Sequence, residues 1–92
     1  MMRKLLSAKP REFRIYAPGA KRVNLAGTFN SWNNKALSAK RDSKGNWMVK
    51  VSIRPGRYEY KFVVDGSWIN DPHCTSFAQN PFGSQNCVLE IR

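Results

Sequence analysis

Apolar and polar residues alternate with a period of two along most of this 92-residue chain, and no window carries a convincing helical period. Successive side chains of a strand point to opposite faces, so each such segment offers one apolar face that another sheet must cover. Residues 11–17 place Phe13 and Ile15 on one side and stop at Pro18-Gly19, and residues 21–26 do the same with Val23 and Leu25. After the turn residues Ser43-Lys44-Gly45-Asn46, the side chains of Trp47, Val49, Val51 and Ile53 share a face, and Pro55-Gly56 ends the run. Tyr58, Tyr60, Phe62 and Val64 then alternate with Glu59, Lys61 and Val63. Asp65-Gly66 reads as a hairpin turn into Ser67-Trp68-Ile69. A last strand starts near Asn86, with Cys87, Leu89 and Ile91 opposed to Val88 and Glu90. Roughly six to eight short strands with frequent turns predict an all-β, antiparallel β-sandwich.

The length allows one domain with one modest core, and 41% hydrophobic residues suffice to fold it. The expected division is a flexible basic segment over residues 1–10 and a folded module over 11–92. Sixteen Lys and Arg against six Asp and Glu give a net charge of +10. That excess fits either a solvated surface or a polyanion partner. Arg3, Lys4, Lys9, Arg11 and Arg14 gather near the start and the other cations are scattered. No basic block or helical stripe forms, so nucleic acid is not the expected partner. The apolar run of the opening residues stops at Leu6, too early for a signal peptide, and no stretch is long enough for a membrane helix. Cys74 and Cys87 lack the spacing of a disulfide framework and are read as free thiols in a reducing cytoplasm, although a bridge between them is open.

The three tryptophans divide into two kinds. Trp47 shares the register of Val49, Val51 and Ile53 and is expected in the core. Trp32, after Gly27-Thr28-Phe29-Asn30-Ser31, and Trp68, after the Asp65-Gly66 turn, sit among turn residues outside any core register. Such rings either close one end of a sandwich or wait for a flat apolar partner. Two rings with a lysine and several amides suit a sugar, and a stacked nucleobase is the alternative. The parity of Lys61 places it on the face away from Tyr60 and Phe62. Phe82 tips the polar loop Asn80-Pro81-Phe82-Gly83-Ser84, where it either meets a ligand or covers the core edge.

Four segments of this chain resemble the family-48 carbohydrate-binding modules. They are Phe13-Arg14-Ile15-Tyr16-Ala17-Pro18 with Ala20 and Val23, residues 25–32, Gly45-Asn46-Trp47, and the stretch from Pro55-Gly56 through Trp68 to Asp71-Pro72. The string Tyr58-Glu59-Tyr60-Lys61-Phe62-Val63-Val64-Asp65-Gly66-Ser67-Trp68 is the most specific part. The resemblance implies an immunoglobulin-like sandwich and spans about residues 11–92. It is closest to the branch that forms the glycogen-binding domain of the AMP-activated protein kinase β subunit. That branch implies stacking by Trp32 and Trp68, a sugar contact by Lys61, and loop contacts by Phe82, Ser84 and Asn86. Phe82 stands where leucine is common, and Ser84 where threonine is.

The residues give no enzyme. A lone histidine, His73, with two unpaired-looking cysteines makes no metal site, and Asp65 and Asp71 lack a partner carboxylate. No phosphate-binding glycine loop and no cofactor motif occur. The expectation is a non-catalytic module for α-1,4-linked glucan of the glycogen or starch type. A protein-interaction module that docks on a partner enzyme or kinase-like complex is the alternative, and polyanion binding comes third.

Overall fold

A computed structural model describes residues 8–92. The described residues form eight strands: β1 (Lys9–Tyr16), β2 (Val23–Gly27), β3 (Lys40–Arg41), β4 (Asn46–Ile53), β5 (Gly56–Val64), β6 (Ser67–Ile69), β7 (Phe77–Gln79) and β8 (Gln85–Ile91). One 3-10 turn, Thr28–Asn30, follows β2. The strands build two antiparallel sheets, β1-β4-β3 and β2-β5-β8-β7, with β6 added to the upper part of β5. This is the all-β sandwich read from the alternation. Strand β1 begins at Lys9, where Lys9 and Pro10 pair with Ile53 and Ser52, so the strand starts earlier than residue 11. Pro10 is tolerated because β1 is an edge strand. The rest of the expected flexible segment, residues 1–7, lies outside the described residues.

The core lies between the sheets. Phe13, Ile15, Trp47, Val49 and Ile53 from the smaller sheet meet Val23, Leu25, Tyr60, Phe62, Cys87, Leu89 and Ile91 from the larger one. The Phe13 and Tyr60 rings meet edge to face at 5.1 Å between centroids. Trp47 is 8% exposed and its indole N–H donates to the Ala17 carbonyl at 2.9 Å. Its core assignment therefore holds, with its one polar atom satisfied.

Two features reach from the core toward one end of the larger sheet. The buried Tyr60 hydroxyl donates to Asp71 Oδ2 at 2.8 Å, while Asp71 Oδ1 accepts from the His73 amide. Burial, followed by the bond to Asp71 and its charge, pushes the Tyr60 phenol well above its ordinary pKa. Asp71 thus anchors the loop after β6 and is more than a residue preceding proline. The second feature corrects the reading of the cysteines: Cys74 and Cys87 are disulfide-bonded, with Cα atoms 6.0 Å apart. Strand β7 returns antiparallel to β8 with Phe77 opposite Cys87, which carries the preceding loop over Cys87. The linear spacing of 13 residues hid that return, because β7 is too short to be read from its alternation. With both cysteines in the bridge, free thiols no longer point to a reducing compartment.

Candidate functional site

The outer face of the larger sheet carries the candidate residues, and strand register explains why. In β5, Tyr60 and Phe62 enter the core, so Glu59, Lys61 and Val63 lie on the opposite face of the sheet, where Glu59 and Lys61 are half-buried and Val63 is covered. Lys61 pairs with Ala26 and Val63 with Trp68, which puts Trp68 on the same outer face. The Asp65-Gly66 turn delivers it. Both residues have positive φ, at 49° and 86°, the geometry of a tight two-residue hairpin. The Asp65 carboxylate accepts from the Lys21 and Arg22 amides at 2.9 and 2.8 Å, which fixes the turn against the neighbouring loop.

Trp32 is delivered by a different device. Gly27 lies against β5 so closely that a Cβ there would fall 2.6 Å from the Glu59 carbonyl oxygen. The chain then turns through Thr28–Asn30, and the Asn30 side chain accepts from the Gly27 amide and donates onward to the Asn33 carbonyl. Ser31 and Trp32 follow with φ of 55° and 59°, and the Trp32 amide donates to Gly27 O at 2.8 Å. A left-handed tryptophan costs backbone energy that its surroundings must impose. The outcome is a tilted indole pair, with Trp32 and Trp68 centroids 6.2 Å apart and planes at 54°. Trp68 stays 45% exposed and Trp32 is half-buried.

A third element comes from the loop between β7 and β8. Asn80 organises it: Oδ1 accepts from the Phe82 and Ser84 amides at 2.9 and 3.1 Å, and Nδ2 donates to Ser84 Oγ and Asn86 Oδ1 at 2.7 and 3.0 Å. Gly83 takes a φ of 82° at the tip. Phe82 is left 90% exposed, so it does not cover the core edge. Asn86 is buried, and its amide also donates to Glu59 Oε1 at 3.0 Å. That bond, followed by the one from Arg57, holds the Glu59 carboxyl below its ordinary pKa.

Trp32, Lys61, Trp68, Phe82, Ser84 and Asn86 all line one depression of about 750 Å³. All six residues picked from the sequence therefore come together. Thr28, Glu59 and Asn80 also line it and were not anticipated. Asn80 had one readable signal, an asparagine four residues before a serine in a turn, a spacing that favours side-chain bonds to the local backbone. Glu59 could have been found from its shared parity with Lys61. The lining mixes two indoles and a phenyl ring with amides, hydroxyls and an ammonium. None of the ion pairs among the described residues involves Lys61. Glu59 is the single carboxylate in the lining and is engaged by Asn86 and Arg57, so the pair needed for glycoside hydrolysis is not assembled there. Such a surface suits a neutral ligand with flat apolar faces and hydroxylated edges.

Comparison with known proteins agrees with this chemistry. The family described as the glycogen recognition site of AMP-activated protein kinase matches residues 10–92. The chain is 32% identical over 85 residues to the 5'-AMP-activated protein kinase subunit beta-1 of Homo sapiens and 35% identical over 85 residues to the beta-2 subunit of Mus musculus, covering 92% of this chain in each case. It is 33% identical over 88 residues, or 96% of its length, to the protein named FLOURY ENDOSPERM 6, chloroplastic, of Oryza sativa subsp. japonica. The chain spans 30% of each of those two kinase subunits and 16% of the rice protein.

Proposed function

This chain belongs to the family of glycogen recognition sites of AMP-activated protein kinase, and on that premise we propose that it binds α-1,4-linked glucan without catalysing a reaction on it. The observation that carries the proposal is the meeting of Trp32, Lys61, Trp68, Phe82, Ser84 and Asn86 in one depression. The two indoles are tilted by 54°, an arrangement that meets successive pyranose faces of a curved glucan better than one flat ring would. Lys61, with no carboxylate partner among the described residues, donates its ammonium protons to sugar oxygens while its stem packs beside the rings. Phe82 rides on the outer side of the glucan, and the Ser84 hydroxyl, which accepts from Asn80, keeps its own proton to give. Asn86 spends much of its capacity on Asn80 and Glu59, so its part is as much positioning as contact. A shallow site of this kind binds in the micromolar-to-millimolar range, about −4 to −8 kcal/mol.

A second reading is favoured by the relatives, two of which are named as kinase subunits far longer than this chain. In that reading the module also docks on a partner enzyme. Co-sedimentation with insoluble starch tests the glucan proposal. Wild type is expected in the pellet and Trp68→Ala in the supernatant, with matching circular dichroism. A folded Trp68→Ala protein that sediments as wild type does would refute the assignment.

A further inference from the structure

The disulfide joins two of the stretches of backbone that carry the glucan pocket, the β6–β7 connection and β8. Cys74 lies in the loop between β6, which presents Trp68, and β7, which leads into Asn80. Cys87 directly follows Asn86 in β8, and Asn86 is bonded both to Asn80 and to Glu59. Three ladder pairs join β7 to β8, Phe77 with Cys87, Ala78 with Asn86 and Gln79 with Gln85. So short a ladder adds little stability of its own, and the covalent link at its Cys87 end holds the strand against β8.

The two sulfur-bearing residues differ in access. Cys87 is fully buried, whereas Cys74 is half-buried and lines a second groove of about 320 Å³ with Arg11, Asp71 and His73. That groove shares no lining residue with the glucan pocket. An incoming thiol can therefore reach one end of the bond only, in a groove where Arg11 is accompanied by the carboxyl groups of Glu12, Asp71 and Glu90. Once reduced and protonated from the reductant or solvent, the buried Cys87 thiol has an acceptor in place, since its Sγ lies 3.8 Å from the Asp71 carbonyl oxygen.

Resting on the glucan reading above, we propose that Cys74–Cys87 is a redox-controlled modification site, opened by a dithiol reductant that attacks Cys74, and that its oxidised state holds the glucan pocket in its binding form. One thiolate of the reductant forms a bond to Cys74 Sγ, and the electron pair of the Cys74–Cys87 bond leaves on Cys87 Sγ, which takes a proton. The second thiol of the reductant, once deprotonated, attacks its own sulfur in the mixed disulfide. The electron pair departs on Cys74 Sγ, which takes a proton, and the reductant leaves as a disulfide. Two electrons and two protons pass to the protein. With the link open, the β7 end and the Asn80 loop sample non-binding arrangements, and the populated fraction of the binding form falls.

The test uses maltoheptaose as the probe. Its affinity is measured by calorimetry for the oxidised chain, for the chain reduced with dithiothreitol, and for the chain reoxidised with oxidised glutathione. Amide hydrogen exchange over residues 77–86 is followed in the same samples. Reduction is expected to weaken binding about fivefold and to speed exchange about tenfold over residues 80–86, with both restored on reoxidation. Cys74→Ser leaves the core thiol in place and is expected to match the reduced wild type and to ignore dithiothreitol. A chain shown by mass to carry two free thiols, but with the affinity and exchange of the oxidised form, overturns the proposal. If the oxidised chain fails to bind maltoheptaose, the glucan reading is what fails. Exchange then still decides whether the disulfide governs the loop.

Discussion

Replacing Asn80 by alanine is expected to disable the pocket while leaving the sandwich folded. The side chain makes four hydrogen bonds, two accepted from the Phe82 and Ser84 amides and two donated to Ser84 Oγ and Asn86 Oδ1. Each such bond contributes about 1 kcal/mol net, but three of the four are exposed and water replaces much of what is lost there. The folding cost is therefore about 1–2 kcal/mol, or a melting temperature lower by several degrees for a domain of this size. The larger effect falls on binding. With no internal tether, the loop must be ordered when the glucan docks, at about 1–2 kcal/mol for each residue fixed. If one residue's worth of ordering moves from folding to binding, affinity for maltoheptaose falls about five- to thirtyfold. Asn80→Asp keeps the oxygen that accepts from both amides and loses the donors, so it should fall between wild type and alanine. Calorimetric titration gives the affinity, and amide exchange at Phe82 and Ser84 reports the tether itself. Unchanged exchange and unchanged affinity in a folded Asn80→Ala protein would refute the scaffold role of Asn80.

Three further outcomes are expected. Trp47→Ala removes a buried indole and its bond to Ala17 and should cost about 3–5 kcal/mol, enough to unfold much of the chain, as a thermal melt followed by circular dichroism would show. Phe82→Ala deletes a 90% exposed ring, so melting should stay near wild type while glucan affinity drops. Wild-type affinity should barely change from low to high salt, because docking of a neutral polymer releases no counterions, whereas a steep salt dependence would favour a polyanion ligand despite the family match.

What could be read in the sequence was whatever a period of two or a turn dipeptide records. The alternation through Tyr58, Tyr60, Phe62 and Val64 placed Lys61 on the outer face, and Asp65-Gly66 placed Trp68 beyond a hairpin; both hold in the register of β5 with β6. Trp47 was separable from Trp32 and Trp68 because only it kept step with a core face. The features that were missed depend on which segments meet across the fold. Strands β3 and β7 are two and three residues long, below the length at which alternation carries information. Without β7 there was no reason to bring Cys74 back to Cys87, or Asn80 against Asn86. The pairing of Asp71 with the Tyr60 hydroxyl joins residues 11 apart across a buried corner, which no local pattern encodes. The resemblance supplied the six site residues, while Asn80 and Glu59 left only a turn spacing and a shared parity in the sequence, and their bonds to Ser84 and Asn86 became visible in three dimensions.

In the glucan proposal, Trp32 and Trp68 stack on the ligand while Trp47 serves the core. The three indole N–H resonances of a nitrogen-labelled sample, followed through a maltoheptaose titration, test it directly. The Trp32 and Trp68 resonances are expected to move together and saturate, while the Trp47 resonance, locked on the Ala17 carbonyl, stays fixed. Saturable binding that leaves both the Trp32 and Trp68 resonances in place would contradict the proposal.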